Sequence, residues 1–414
     1  MSTGSDINDT PAIAGGTPAK TSPFGSEKRY EADEWKELQE ALEQGTLFYA
    51  YGKKVFGLEA DFAKKNGVKY AVACSSGTSA IHTAMIAAGI SPGDEVITAP
   101  ITDMGSIVPI LFQGGVPVFA DLHPHSLEMS PESVEAAITP KTRAVLAIHL
   151  WGNACDLDPL IDICKRHNLL LIEDCAQAFG CLYKGKPVGT FGDIGCFSLN
   201  EFKHIACGDG GITITNDENI ARRLRLSTDK CYSRESGATE RNPFFLANNY
   251  RMTELQGAVA IAQLKKLDSI VSRRQKWCKE LLKRLSHIKG IALPEPTPGC
   301  DPSWWFFPFR VIPEVLKADA DQFVEALTAE GLSPTAHYIG RTIYQYPIFK
   351  NHSAFERGDH PFSARSYTDG MCPTAEDILK TVIILPINEA YTEDDLNQTV
   401  LAFEKVANWF SKKA

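Results

Sequence analysis

The sequence predicts an α/β fold, with a mostly parallel sheet covered by helices and followed by a smaller α+β domain. Three observations predict it. Short β-rich runs alternate with helical stretches from Tyr70 to Thr215. Several runs are continuously apolar, as in Leu169-Leu170-Leu171-Ile172, which suits strands covered on both faces. A long helical pattern then starts near Thr253 and gives way to Pro294, Pro296, Pro298 and Pro302, which punctuate the chain.

The elements follow in order. Residues 1–25 are rich in Gly, Ser, Thr, Asp and Pro and read as a flexible N-terminal arm. Ala32 to Glu43 reads as a charged surface helix. Gly52 to Asn66 reads as another, with Val55, Phe56, Phe62 and Ala63 on its apolar face. Seven strand runs come next: Tyr70–Cys74, Glu95–Ala99, Val116–Ala120, Ala144–His149, Leu169–Asp174, Gly195–Leu199 and Gly211–Thr215. Helices are expected at Thr78–Ala88, Pro131–Ala137 and Leu157–His167, the last capped by Asp156. Leu255, Ala258, Ile261, Leu264 and Leu267 keep helical spacing in a helix running to about Leu285, a spine between two domains. Beyond it, strands are expected at Phe306–Ile312 and Thr381–Leu385, and helices at Ala320–Ala329 and Glu393–Asn408. The expected division is an arm over 1–25, a large domain over 26–268 and a small domain over 269–414.

Composition narrows the function classes. The chain has 414 residues and a formal charge of −9, which argues against nucleic acid as a partner. No apolar run approaches the roughly 18 residues of a membrane span, and the N-terminus has no signal-peptide order. The 11 cysteines mostly sit in apolar strand-like runs, and no pair at zinc spacing is followed by a second pair. They read as reduced small hydrophobes of a cytoplasmic protein, and no metal is expected.

Four features of the first domain carry chemistry together. Ser75-Ser76-Gly77-Thr78-Ser79 follows a strand and opens a helix, whose free N–H groups and partial positive charge suit a phosphate. Glu173-Asp174 ends an apolar strand, where ligands of open α/β sheets bind, and Gln177 follows one turn later. Lys203 lies five residues after the strand-end Ser198, and a lysine in a poorly solvated site loses proton affinity and becomes nucleophilic. Gly208-Asp209-Gly210-Gly211 leads into a strand rather than a helix, which excludes the dinucleotide fingerprint. A phosphate cradle, a strand-end acid and a lysine are the parts that hold pyridoxal 5'-phosphate.

With these residues in place, the chain resembles the DegT/DnrJ/EryC1/StrS sugar aminotransferases over nearly everything from Gly45 to Trp409. The resemblance rests on Ser76-Gly77-Thr78-Ser79-Ala80, Asp121, His149-Leu150-Trp151-Gly152-Asn153, Glu173-Asp174-Cys175-Ala176-Gln177-Ala178 and Gly192-Asp193-Ile194-Gly195-Cys196-Phe197-Ser198. It continues with Lys203, Gly208-Asp209-Gly210-Gly211 and Asn249-Tyr250-Arg251-Met252. It implies the fold of aspartate aminotransferase (fold type I): a mixed, mostly parallel seven-stranded sheet sandwiched by helices, with a smaller α+β C-terminal domain. It also implies residue roles. Lys203 would be the Schiff-base lysine. Asp174 would pair with the pyridine nitrogen, and Gln177 would contact the ring hydroxyl. Gly77 would let the phosphate approach, and Thr78, Ser79 and Ser198 would hold it. Asn249 would reach the phosphate of a neighbouring subunit, since family members share their sites across a homodimer.

The reaction implied is transfer of an amino group from L-glutamate or L-glutamine to a keto sugar, nucleotide-linked, or to a keto-cyclitol. Three alternatives accompany it: a pyridoxamine-dependent dehydratase, whose members carry histidine where Lys203 stands, a non-catalytic regulatory protein of the same fold, and another aldimine enzyme such as a lyase of that fold. One position departs from the family. Where an aromatic residue usually stacks on the cofactor ring, the chain reads Ile101-Thr102-Asp103-Met104, and no aromatic occurs between Ile97 and Leu111. Asp103 takes that position, either as a contact to a substrate amine or sugar hydroxyl or as a helix N-cap. Trp304-Trp305-Phe306-Phe307 reads either as second-domain core or as pocket lining. Tyr338 and Arg341 are substrate candidates, Arg341 alternatively a solvated loop charge.

Overall fold

The computed structural model describes residues 10–234, 241–356 and 361–412. Two surface helices come first, α1 (Ala32–Glu43) and α2 (Lys54–Asn66). The helices α3 (Gly77–Ala87), α4 (Met104–Phe112), α5 (Pro131–Ala136), α6 (Leu157–His167) and α7 (Glu218–Thr228) then alternate with strands. The strands are β1 (Tyr70–Cys74), β2 (Glu95–Thr98), β3 (Val116–Phe119), β4 (Thr142–Ile148), β5 (Leu170–Asp174), a small hairpin β6 (Leu182–Tyr183) and β7 (Lys186–Pro187), β8 (Ile194–Ser198) and β9 (Gly211–Thr215).

Seven of them form one sheet in the order β1-β9-β8-β5-β4-β2-β3. Only β9 runs against the rest, pairing antiparallel with both β1 and β8. Strands β2, β3, β8 and β9 are buried along their whole length, so their continuous apolar runs reflect cover on both faces. The start of α3 is set by sequence: Ser76 stays extended, its Oγ accepts from the Ser79 N–H at 3.1 Å, and Ser79 Oγ accepts from the Ser76 N–H at 2.8 Å.

The helix α8 (Glu254–Leu285) opens with a capping box between Thr253 and Gln256 and runs for 32 residues. Its Ala260, Ile261, Leu264 and Leu267 belong to the first core, and its Trp277, Cys278, Leu281 and Leu285 to a second. Around that second core lie β10 (Ile291–Ala292), β12 (Phe306–Val311), α9 (Pro313–Leu316), α10 (Ala320–Ala329) and β13 (Thr335–Ala336), while Cys300 of β11 (Cys300–Asp301) packs on the first core. The chain ends with α11 (Pro347–Lys350), α12 (Pro373–Thr381), β14 (Val382–Pro386) and α13 (Glu393–Lys412). A four-stranded antiparallel sheet has the order β10-β12-β14-β13, and β11 joins the hairpin β6-β7 instead.

Several details differ from the expectation, beginning with two helices it did not include, α4 and α7. Tyr344, Phe349, Tyr367 and Ile378, on the far side of the expected boundary at 268, pack into the first core. Asp121 anchors that return by accepting the N–H groups of Thr374 and Ala375, both at 2.9 Å, at the start of α12. The arm, from Thr10 onward, is held down: Ala12 and Ala19 donate their N–H groups to the Glu330 carboxylate, and Lys20 pairs with Asp395 at 2.6 Å. Asp156 makes no cap bond to α6; its carboxylate accepts from the Tyr183 hydroxyl at 2.8 Å. Phe56 is 43 % exposed, and the Arg225 guanidinium lies over its ring.

Candidate active site

Strands β1, β2, β4, β5 and β8 run the same way, so their carboxyl ends meet on one edge of the sheet. The segments leaving those ends enclose a cavity of about 260 Å³. Gly77, Thr78, Asp103, Asp174, Gln177, Ser198 and Lys203 line it, so seven of the expected site residues share one space.

Each wall has a local cause. At the α3 terminus, a Cβ on Gly77 would come 2.5 Å from the Ser198 Cβ, so only glycine lets the end of β8 approach the helix start. In β5, alternation sends neighbouring side chains to opposite faces. Asp174 points into the cavity. Glu173, with no solvent exposure, points away and accepts from the N–H groups of Gly189 (2.7 Å), Phe191 (2.9 Å) and Gly192 (2.7 Å). It also bonds His149 Nε2 at 2.9 Å, which fixes the imidazole where it lines the cavity.

Asp174 accepts from the Ser106 hydroxyl at 2.7 Å and from the Ala176 N–H at 3.0 Å. Burial raises its carboxyl above the usual value, against these bonds and the charge of Lys203. Burial also lowers Lys203, to about 8, while the Asp174 and Asp103 carboxylates oppose the shift. Lys203 Nζ sits 3.8 Å from the centre of the Trp305 ring, and the indole N–H donates to the Phe202 carbonyl at 2.8 Å. Gln177 is oriented from two sides: its Oε1 accepts from the Trp151 N–H at 2.9 Å, and its Nε2 donates to the Tyr338 hydroxyl at 3.2 Å.

Some expected residues lie elsewhere. Ser79 does not line the cavity, because its hydroxyl closes the capping box and donates to the Ser76 carbonyl at 2.8 Å. Arg341 is exposed, outside the cavity. Asn249 is exposed too, and pairs with Asp229 through a β-bridge away from this chain's own cavity. The double tryptophan splits: Trp304 is buried in the second core beside Phe307, and Trp305 turns to Lys203. Ser106 and His149 carry site contacts that the sequence reading assigned to no role. His149 lay within a family motif, and Ser106 lay one turn beyond the departure at Asp103.

Known proteins share this arrangement of elements. The sequence profile of the DegT/DnrJ/EryC1/StrS aminotransferase family matches residues 28–404. The GDP-perosamine synthase of Caulobacter vibrioides is 31% identical over 367 residues, 87% of this chain and 92% of its own. A Streptoalloteichus tenebrarius protein assigned as an L-glutamine:3-amino-2,3-dideoxy-scyllo-inosose aminotransferase is 33% identical over 396 residues, 93% of this chain and 91% of its own. The crystal structure of S. venezuelae DesV with a ketimine intermediate superposes with a TM-score of 0.79 at 30% identity, covering 90% of this chain and 94% of DesV. With a profile match over most of its length and relatives above 30% identity, the chain belongs to the DegT/DnrJ/EryC1/StrS aminotransferase family.

Proposed function

We propose that the protein transfers an amino group from L-glutamate or L-glutamine to the ketone of a sugar or cyclitol, with Lys203 as the residue that handles the proton. The observation that carries this reading is Lys203 itself: among the described residues, the one lysine or arginine lining the cavity, desolvated and facing Asp174. The cofactor of the family is pyridoxal 5'-phosphate, and the residues present fit it. A cradle that a Cβ would fill lies at the N-terminus of α3, with the hydroxyls of Thr78 and Ser198 beside it. Asp174 is a buried carboxylate raised by desolvation, so a protonated ring nitrogen is the partner that relieves it.

When bound, pyridoxal phosphate supplies an electrophilic aldehyde carbon and a ring that accepts electrons. Thr78, Ser198 and the α3 N–H groups would bind the phosphate. Asp174 would hold a proton on the ring nitrogen. Gln177, with its Oε1 committed to Trp151, would offer its Nε2 donor to the ring hydroxyl. Lys203 Nζ would take the proton from the donor Cα and hold it for return to the carbon that was the cofactor's aldehyde. Trp305 covers the lysine from the second domain and keeps water from that amine.

The relatives support the substrate class: one makes GDP-perosamine, and another is assigned to an amino-inosose. The test is spectroscopic. Protein loaded with pyridoxal phosphate should show a visible band that borohydride fixes covalently and that L-glutamate or L-glutamine bleaches. A band indifferent to both amino acids would count against the reading.

The site is completed by a second copy. Asn249 is exposed and off its own cavity, and in the same segment Phe244 and Leu246 are 68 % and 91 % exposed. Phe112, also exposed, lies beside His82, which bonds the Tyr250 hydroxyl at 2.9 Å. Apolar side chains clustered around a polar residue meant for a neighbour fit an interface between copies. Sedimentation equilibrium should give twice the chain mass, and a single-chain mass at micromolar concentration would exclude the shared site.

A further inference from the structure

Resting on the aminotransferase reading above, we propose that Asp103 selects the acceptor by pairing with a positively charged amine on its ring. The first observation is where the carboxylate sits. Asp103 is the N-cap of α4, and its Oδ1 accepts from the Gly105 N–H at 2.7 Å. Among the described residues its side chain takes no other hydrogen bond, so the second oxygen is available on the open side of the cavity. A Cβ on Gly105 would lie 2.7 Å from Thr78 Oγ1 and 2.9 Å from Asp103 Oδ1, so glycine lets the starts of α3 and α4 close against each other.

The second observation is the charge around it. Among the described residues, the cavity is lined by the carboxylates of Asp103, Asp174 and Asp209, against the single ammonium of Lys203. Asp174 is committed to Ser106 and the Ala176 N–H, which leaves Asp103 and Asp209 on the exposed side. Asp103 acts on two nearby phenols: burial pushes Tyr338 and Tyr346 up and Asp103 adds to both, while the Arg341 guanidinium opposes the rise at Tyr346. With Lys203 engaged by the cofactor, an ammonium on the acceptor ring gains a charge-assisted hydrogen bond at Asp103.

Asp103→Asn tests this with little structural cost, because asparagine caps a helix as well as aspartate. Protein loaded directly with pyridoxamine phosphate is titrated calorimetrically with two probes, a diaminocyclitol and the same ring with one amine replaced by hydroxyl. Wild type should bind the diamine about 10- to 100-fold more tightly than its hydroxyl counterpart, the range for a hydrogen bond to a charged group. The Asp103→Asn substitution should bring that ratio close to one. A ratio near one in wild type, or an unchanged ratio in the variant, would each overturn the proposal. Loading the amine form directly separates this test from the donor reaction. Failure of glutamate and glutamine to bleach the visible band sinks the aminotransferase reading and leaves these affinities to be judged alone.

Discussion

Lys203→Ala should abolish amino transfer, with keto-acid release from the donor falling by at least about 10³-fold, because one side chain serves as covalent anchor and as base. The physical argument is the state of its amine. Burial lowers Lys203 to about 8, so at pH 7.5 about a quarter of it is neutral, against roughly 0.1 % of an ordinary lysine. The carboxylates of Asp174 and Asp103 hold the value up, and without them it would fall further. Among the described residues, no other lysine or arginine lines the cavity to take over. The variant should still fold, since Lys203 lies in the loop after β8 and packs through Trp305 rather than within the sheet. Two readouts separate a chemical loss from a structural one. Borohydride should no longer fix the cofactor to the protein, and added methylamine should restore part of the turnover. Wild-type turnover in the Lys203→Ala variant would remove Lys203 from the mechanism.

What the sequence made legible follows from what periodicity and strand ends report. The seven central strands could be read because burial on both faces leaves unbroken apolar runs, and the cavity residues because strand ends in a parallel sheet share one edge. Less legible was which of two neighbours does what. Glu173 and Asp174 look equivalent in sequence, yet pleat alternation gives one to backbone N–H groups and the other to the cavity. Ser79 looks like a phosphate ligand beside Thr78, yet the capping box takes its hydroxyl. The aromatic pair Trp304-Trp305 offered core or pocket as alternatives, and a positive φ of 53° at Trp304 turns the two rings to different neighbours. Tyr344, Phe349 and Tyr367 carry no local sign that they return to the first core. Their partner Phe119 is more than 200 positions away, and only the fold brings them together.

Glu330→Ala should destabilise the protein by about 3–5 kcal/mol, the cost of leaving a buried charge without its partner. Glu330 has no solvent exposure and sits at the end of α10, where its carboxylate accepts the N–H groups of Ala12 and Ala19 at 2.6 Å each. It also holds the Lys405 ammonium at 2.8 Å, and Lys405 is 4 % exposed. Truncation orphans that ammonium together with two backbone donors, so the segment from Ala12 to Lys20 should lift and become open to proteolysis. Glu330→Gln keeps one acceptor and should fall between wild type and alanine. The second clamp on the same segment responds to acid. Burial alone would raise the Asp395 carboxyl, but the Lys20 ammonium, the N–H groups of Thr392 and Gly25 and the Thr392 hydroxyl outweigh it and hold it down at about 2. A carboxyl lowered on folding contributes stability that is complete above its unfolded value, near 3.8, and is lost as pH falls toward about 2. That contribution is about 2 kcal/mol at neutral pH. Proteolysis of the segment from Ala12 to Gly25 should therefore quicken between pH 4 and pH 2.5 in wild type, and Asp395→Asn should already show the faster cleavage at pH 7. If the Glu330→Ala variant unfolds at the wild-type denaturant midpoint, this arm contributes nothing to the stability of the second domain.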